Sequence, residues 1–235
     1  MTSFLRVGGI QPFTTIDFPG KLAAVIFLKG CNLRCAYCHN PELVDCDSTT
    51  KDIPWETVMN FLRTRDGFLE GVVLSGGEPT IYPRLAEALK ELRTLKLEIA
   101  LHTNGCFPDV LSDVLSQNLV DFVAMDIKAP FKSYWRVSKT GDGMSARESA
   151  KTLISSGIPY EFRSTVHPDL LDKSQLFLMA DEMKSLGAKS FVLQEFKPGN
   201  TLEPSLSTSA LPWMNYETFH EFKSYFASLS IRGQI

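Results

Sequence analysis

Three thiols stand on one short stretch, Cys31-Asn32-Leu33-Arg34-Cys35-Ala36-Tyr37-Cys38-His39-Asn40, directly after an apolar run at residues 22–28. Gaps of three and then two residues let a single loop wrap three sulfurs around one corner of an iron–sulfur cubane. The fourth iron is left without a cysteine from this motif, and an iron with an open position can do chemistry.

Two other uses of the thiols have to be weighed. A structural zinc site takes four ligands, typically as two pairs, and His39 directly against Cys38 gives poor chelate geometry, although Cys46 and Cys106 remain available as a fourth ligand. A disulfide would leave one of the five cysteines over, and no basic segment followed by a long apolar region opens the chain to mark export. The spacing favours the cluster.

At these positions the sequence resembles the radical SAM superfamily, whose C-x3-C-x2-C motif with an aromatic before the last cysteine is matched by Cys31, Cys35, Tyr37 and Cys38. More narrowly, Thr15-Ile16-Asp17-Phe18-Pro19-Gly20-Lys21, Lys29-Gly30-Cys31-Asn32-Leu33-Arg34-Cys35 and Cys38-His39-Asn40-Pro41-Glu42-Leu43 are similar to activating proteins of anaerobic ribonucleoside-triphosphate reductase. The likeness continues, more weakly, to about Lys197. It implies a 4Fe–4S cluster and S-adenosylmethionine as cofactors, and reductive cleavage of the latter to a 5′-deoxyadenosyl radical. It also implies a glycyl-radical enzyme, anaerobic ribonucleotide reductase, as the partner that loses a glycine hydrogen, and a flavodoxin- or ferredoxin-type electron donor.

The elements that must position these groups alternate. Apolar runs at residues 22–28, 71–75, 97–101, 120–126, 160–166 and 190–194 read as strands, separated by helical patterns opening at Pro54 and at residues 83–95, 108–115, 145–155 and 174–186. Gly157 and Gly187 stand where the last two of these helices should stop. Six βα units are too few for a closed eight-stranded barrel but enough for a curved, open one. The expected fold class is therefore α/β, and the resemblance implies the same open partial (β/α)6 barrel of the radical SAM type. In the tail, Tyr216, Phe219, Phe222, Phe226 and Leu229 recur at helical spacing and read as a docking face against the barrel.

In such folds the loops after the strands carry the chemistry. The cysteine loop follows the first strand, and Ser75-Gly76-Gly77-Glu78-Pro79 follows the second. Gly76 and Gly77 allow close backbone approach, and Glu78 puts a carboxylate where a ligand ammonium could sit. The segment resembles the one that binds the methionine amino group of S-adenosylmethionine. The resemblance further places Thr103 and Asp126 near the amino-acid end of the cofactor and pairs Lys128 with its carboxylate. His102 departs from the family pattern, in which pyruvate formate-lyase activating enzymes carry an aspartate that helps hold a monovalent cation; a plain hydrogen-bonded histidine is the alternative. Arg163 points to the same rim, and Lys197 could reach a carboxylate or ribose; an ion pair is the rival reading for both. Cys46 and Cys106 are left without a role, and Asp17 lies near the expected mouth or in a simple turn.

With 235 residues, 44% hydrophobic and 22% charged, the chain can bury a core without disulfides. A single domain is expected over 1–235, with 198–235 a C-terminal extension ending in a helix packed on the barrel. A formal net charge of −3 argues against nucleic acid or an anionic membrane as the main partner. No apolar run approaches the roughly 20 residues that span a bilayer, so a cytoplasmic setting is expected. Two alternatives stay open: a small-molecule radical SAM enzyme such as a 7-carboxy-7-deazaguanine synthase, and a non-catalytic metal-binding module.

Overall fold

In the computed structural model, residues 5–46, 51–206 and 211–233 are described. Eight strands among them join one sheet in chain order: β1 (Val7–Thr14), β2 (Ala23–Leu28), β3 (Gly71–Gly76), β4 (Glu98–Thr103), β5 (Phe122–Asp126), β6 (Tyr160–Val166), β7 (Ser190–Glu195) and β8 (Ser228–Arg232). Every neighbouring pair from β2 to β8 is parallel, whereas β1 runs antiparallel to β2. Parallel neighbours need crossovers. Helices α1 (Trp55–Arg63), α2 (Leu85–Arg93), α3 (Pro108–Ser116), the single turn α4 (Trp135–Ser138), α5 (Gly143–Ser156), α6 (Lys173–Leu186) and α7 (Tyr216–Lys223) lie in them. β1 and β8 each have one neighbour, so the sheet is open.

The helices form where apolar residues recur at helical spacing and the ends are capped. α2 buries Leu85, Ala88, Leu89 and Leu92 on one face. α6 starts on a capping box between Asp172 and Gln175 and stops at Gly187 in the left-handed conformation. These faces join one large core cluster with the outward residues of the strands, among them Ile26, Leu74, Ile99 and Val123. The alternate strand residues make a second, smaller cluster of Ala23, Val25, Val73, Ala100, Phe122 and Ala124, into which the β1–β2 connection inserts Phe18. Phe18 stacks on Phe122 with ring centroids 5.7 Å apart.

This period-two alternation decides where polar groups can go. Two residues further along each strand, the same inner face carries Ser75 after Val73, His102 after Ala100 and Asp126 after Ala124, and all three line a cavity at the C-terminal ends of the strands. An apolar floor thus lies beneath a polar rim.

The six expected βα units correspond to β2 through β7. Two strands were not foreseen, β1 at one edge and β8 at the other, and the tail is where the expected helix has to be corrected. α7 ends at Lys223, and Leu229 sits in β8 opposite Phe191, so the extension ends in a strand. Phe222 is fully buried against Phe177 and Phe191, Phe226 stacks on Phe191 at 4.8 Å, and Tyr216 is 78% exposed beside His220. The aromatic stripe is core packing at Phe222 and Phe226, and surface at Tyr216. Phe222→Ala should therefore cost about 3–5 kcal/mol in denaturant unfolding, and Tyr216→Ala within about 0.5 kcal/mol; equal losses would contradict this packing of the tail.

Candidate active site

The cysteine loop has little regular structure of its own and is held by backbone contacts from three neighbours. The Gly77 and Glu78 amides donate to the Leu28 and Gly30 carbonyls at 2.7 and 2.8 Å. The Gly30 and Cys31 amides donate to Leu43 and Val44 at 2.7 and 2.9 Å, which folds the loop back on its own continuation. From the far side, the carbonyls of Ser138 and Val137 accept from Arg34 and Ala36 at 2.9 and 3.2 Å. A Cβ on Gly77 would overlap the Gly30 carbonyl, and one on Gly76 would overlap the Leu28 backbone. The glycine pair is therefore required by loop-on-loop packing, whatever a ligand also asks of it.

Cys31, Cys35 and Cys38 line one cavity of about 220 Å³ together with Tyr37, Gly76, Gly77, Glu78, Thr103, Asp126, Lys128 and Arg163. Eleven of the twelve residues singled out from the sequence are thus brought together. Burial pushes the Cys31 thiol up to about 12, with the Glu78 charge adding to it, and Cys35 up to about 11; Cys38 is raised as well, again by burial first. Free thiols here hold their protons at neutral pH, so a metal must displace them on binding. Among the described residues no group of three or more His, Cys, Asp and Glu is gathered as a single-ion site. A cubane takes its thiolates on separate irons, so its ligands need not converge on one point.

Glu78 is heavily hydrogen-bonded within the protein. It is 1% exposed, and its carboxylate accepts from the Thr80 amide at 3.0 Å, the Thr80 hydroxyl at 2.5 Å, the Thr103 hydroxyl at 2.7 Å and the Asn104 amide at 2.6 Å. Burial raises its carboxyl, and these four donors pull the other way. The side chain fastens the loop after β3 to the end of β4 at the wall of the cavity.

A second group compensates its charges internally. Asp126 accepts from Lys128 Nζ and Arg163 Nε, both at 2.9 Å. Burial alone would raise the Asp126 carboxyl, but the two cations outweigh it and hold the group well below the usual carboxylate range. Burial would lower Lys128, yet Asp126 in contact keeps its ammonium well above the ordinary value. The Lys128 ammonium also stands 5.5 Å from the centre of the Tyr37 ring. His102 completes the chain of contacts: Nε2 lies 2.8 Å from the Asp17 carbonyl and Nδ1 lies 3.4 Å from Arg163. A carbonyl only accepts and a guanidinium only donates, so His102 carries its proton on Nε2. Burial and the Arg163 charge push it down to about 3, a neutral imidazole in a structural bridge.

Lys197 is the residue the structure does not bring in. Its side chain is exposed and outside the cavity lining, and its carbonyl accepts from His39 Nε2 at 2.8 Å. The backbone at this position, and not the ammonium, meets the cysteine loop. Asn104 belongs to the polar stretch after β4, whereas Thr165 and Gln194 were not foreseen. Asn104 accepts from the Cys106 amide at 2.9 Å and donates to Asn32 at 2.9 Å, which ties the end of β4 to the cysteine loop. Thr165 and Gln194 complete the rim. Their signal was the two-residue period: Thr165 follows Arg163 on the inner face of β6, and Gln194 is its partner on β7.

Comparison with known proteins fits this geometry. The model of the radical SAM superfamily matches residues 25–178, and the chain belongs to that superfamily, whose members use a 4Fe–4S cluster and S-adenosylmethionine. The chain is 28% identical over 215 residues to a candidate glycyl-radical enzyme activating enzyme of Methanocaldococcus jannaschii, covering 89% of this chain and 87% of the relative. It is likewise 28% identical over 187 residues to the pyruvate formate-lyase-activating enzyme of Clostridium pasteurianum, covering 77% of each. Among solved structures, Streptococcus suis SuiB bound to its precursor peptide SuiA superposes with a TM-score of 0.65 at 15% identity, over 89% of this chain and 48% of SuiB. That likeness is one of fold, and this chain spans about half the length of SuiB.

The donor set fits the two cofactors of the superfamily: three thiols, and a carboxylate with two cations, line one cavity. If Glu78 is a fastener, Glu78→Ala leaves two buried amides without acceptors and should lower the stability of the metal-free protein by at least about 2 kcal/mol. Thermal unfolding without cofactors measures this. An unchanged midpoint, with S-adenosylmethionine bound more weakly, would return Glu78 to direct ligand contact.

Proposed function

We propose that this protein is an activating enzyme: it cleaves S-adenosylmethionine reductively and generates a glycyl radical on a partner glycyl-radical enzyme, anaerobic ribonucleoside-triphosphate reductase. In this reading Cys31, Cys35 and Cys38 hold three irons of the 4Fe–4S cluster. The bound cofactors supply the electron transfer and the 5′-deoxyadenosyl radical that removes a hydrogen from a glycine Cα. The chain itself positions and screens. Tyr37 and the backbone at Gly76 and Gly77 shape the cavity beside the cysteines, Thr103 and Asp126 stand at the expected amino-acid end, and Lys128 is the cation for a cofactor carboxylate, with Asp126 and Arg163 fixing its place. The role of Lys197 is reduced to its backbone.

The observation that carries the reading is the shared cavity of the three thiols and the Asp126–Lys128–Arg163 group at the C-terminal ends of an open sheet. The similarity to activating enzymes over most of the chain supports a protein substrate, and the strings around Asp17 and Cys38 support the reductase as that substrate. An open sheet edge suits entry of a peptide loop.

With dithionite and S-adenosylmethionine, the anaerobically reconstituted protein should produce an electron paramagnetic resonance doublet on an anaerobic ribonucleotide reductase from the same source. The doublet should vanish when the acceptor glycine of the partner becomes alanine. Fast cofactor cleavage with no doublet on any glycyl-radical enzyme of that source would instead point to a small-molecule substrate.

A further inference from the structure

Reductive cleavage needs an electron from outside, and of the three thiol residues Cys35 is buried while Cys31 and Cys38 are half-buried at the cavity. The segment between β5 and α5 covers the outer side of that loop. Residues 131–141 carry three cations, Lys132, Arg136 and Lys139, and no acid, in a chain whose net charge is −3. All three side chains are exposed, and none makes an ion pair among the described residues. Between them Trp135 is 63% exposed. Of the nearby acids, Asp142 caps α5 through the Met144 amide at 2.9 Å, Asp172 caps α6 and Glu182 accepts from the Phe131 amide at 2.9 Å, while the exposed Asp181 shares a groove with Lys132 without an ion pair.

The segment is also wired to the thiols. Its inner side is anchored by Tyr134, buried at 1% exposure, whose hydroxyl donates to the Asp126 carbonyl at 3.2 Å. Two residues beyond Trp135, the Val137 carbonyl accepts from the Ala36 amide at 3.2 Å, and Ala36 is bonded to Cys35. The Thr140 hydroxyl adds a bond to the Asn32 carbonyl at 2.8 Å. One hydrogen bond therefore separates α4, which carries the exposed tryptophan, from Ala36, the neighbour of Cys35. A solvated run of charge would not need this placement.

We propose that Lys132, Trp135, Arg136 and Lys139 form the docking surface for an acidic one-electron carrier protein, which hands its electron inward through residues 135–137 to Cys35 and the cluster. This inference rests on the reading above. The carrier loses one electron and the cluster gains it, and no atom or proton crosses the interface. Opposite charge should speed the encounter and make it salt-dependent.

The test is stopped-flow reduction of the reconstituted protein by flavodoxin hydroquinone, with dithionite as the small-molecule control. The combined Lys132→Glu, Arg136→Glu and Lys139→Glu variant should react with flavodoxin at least about tenfold more slowly and lose the fall in rate with salt, and Trp135→Ala should slow it with the salt dependence kept. Dithionite reduction and dithionite-driven radical formation on the partner should be unchanged in both. Unaltered flavodoxin kinetics would overturn the inference. So would intact flavodoxin kinetics with lost dithionite-driven activation, which would assign the surface to the glycyl-radical partner. A wild-type protein that flavodoxin reduces normally, but that forms no radical on any partner, would sink the activating role and leave the docking surface standing.

Discussion

The site depends on one close approach of backbone to backbone. The turn after β3 lies so near the start of the cysteine loop that no side chain fits at Gly76 or Gly77, and the Gly77 and Glu78 amides are satisfied by the Leu28 and Gly30 carbonyls. Two irregular loops at the end of a parallel sheet would otherwise leave buried amides and carbonyls unpaired, at about 1–3 kcal/mol each. Bonding to one another solves that problem and fixes where Cys31 begins. Glu78 extends the arrangement sideways, since its carboxylate gathers donors from Thr80, Thr103 and Asn104. Three strand ends are thereby joined without help from a bound group.

The polar rim follows two electrostatic strategies. Glu78 is satisfied by neutral donors, so burial wins and its carboxyl is raised. Asp126 is satisfied by two cations, so their fields win over burial and its charge persists. With Lys128 and Arg163 the second group holds one carboxylate against two positive charges, and a negative ligand group is what such an excess favours. Removing one member of a buried charged group is more damaging than its gross contact suggests, because the others are left uncompensated.

Much of this was legible in the sequence, and the failures have physical causes. Six strands and their crossover helices could be read because both faces of a parallel sheet are covered, which writes continuous apolar runs into the chain. β1 was missed because Val7–Thr14 holds two glycines and a proline at a half-exposed edge, where no apolar run is required. β8 was missed because Phe226 and Leu229 prolong a helical spacing that ends at Lys223, and five residues of Ser228–Arg232 carry too weak a pattern to overrule it. The cysteines, Tyr37, Asp126, Lys128 and Arg163 come together at one cavity, since each sits on or next to a strand end or on the loop itself. The hydrogen bonds of Glu78 could not be read, because its partners at Thr103 and Asn104 come from another strand and only the fold brings them together. Lys197 lies outside the cavity lining, and what meets the cysteine loop there is its carbonyl, a backbone contact that side-chain types do not announce.

The central claim is that one loop of three thiols carries the cluster, and it is tested most directly by counting iron and acid-labile sulfide after anaerobic reconstitution. The wild-type protein should bind about four of each per chain, Cys35→Ser should lose most of both together with the broad thiolate-to-iron absorption, and Cys46→Ser and Cys106→Ser should match the wild type. Full iron and sulfide in variants of Cys31, Cys35 and Cys38, or their loss in Cys46→Ser or Cys106→Ser, would contradict it.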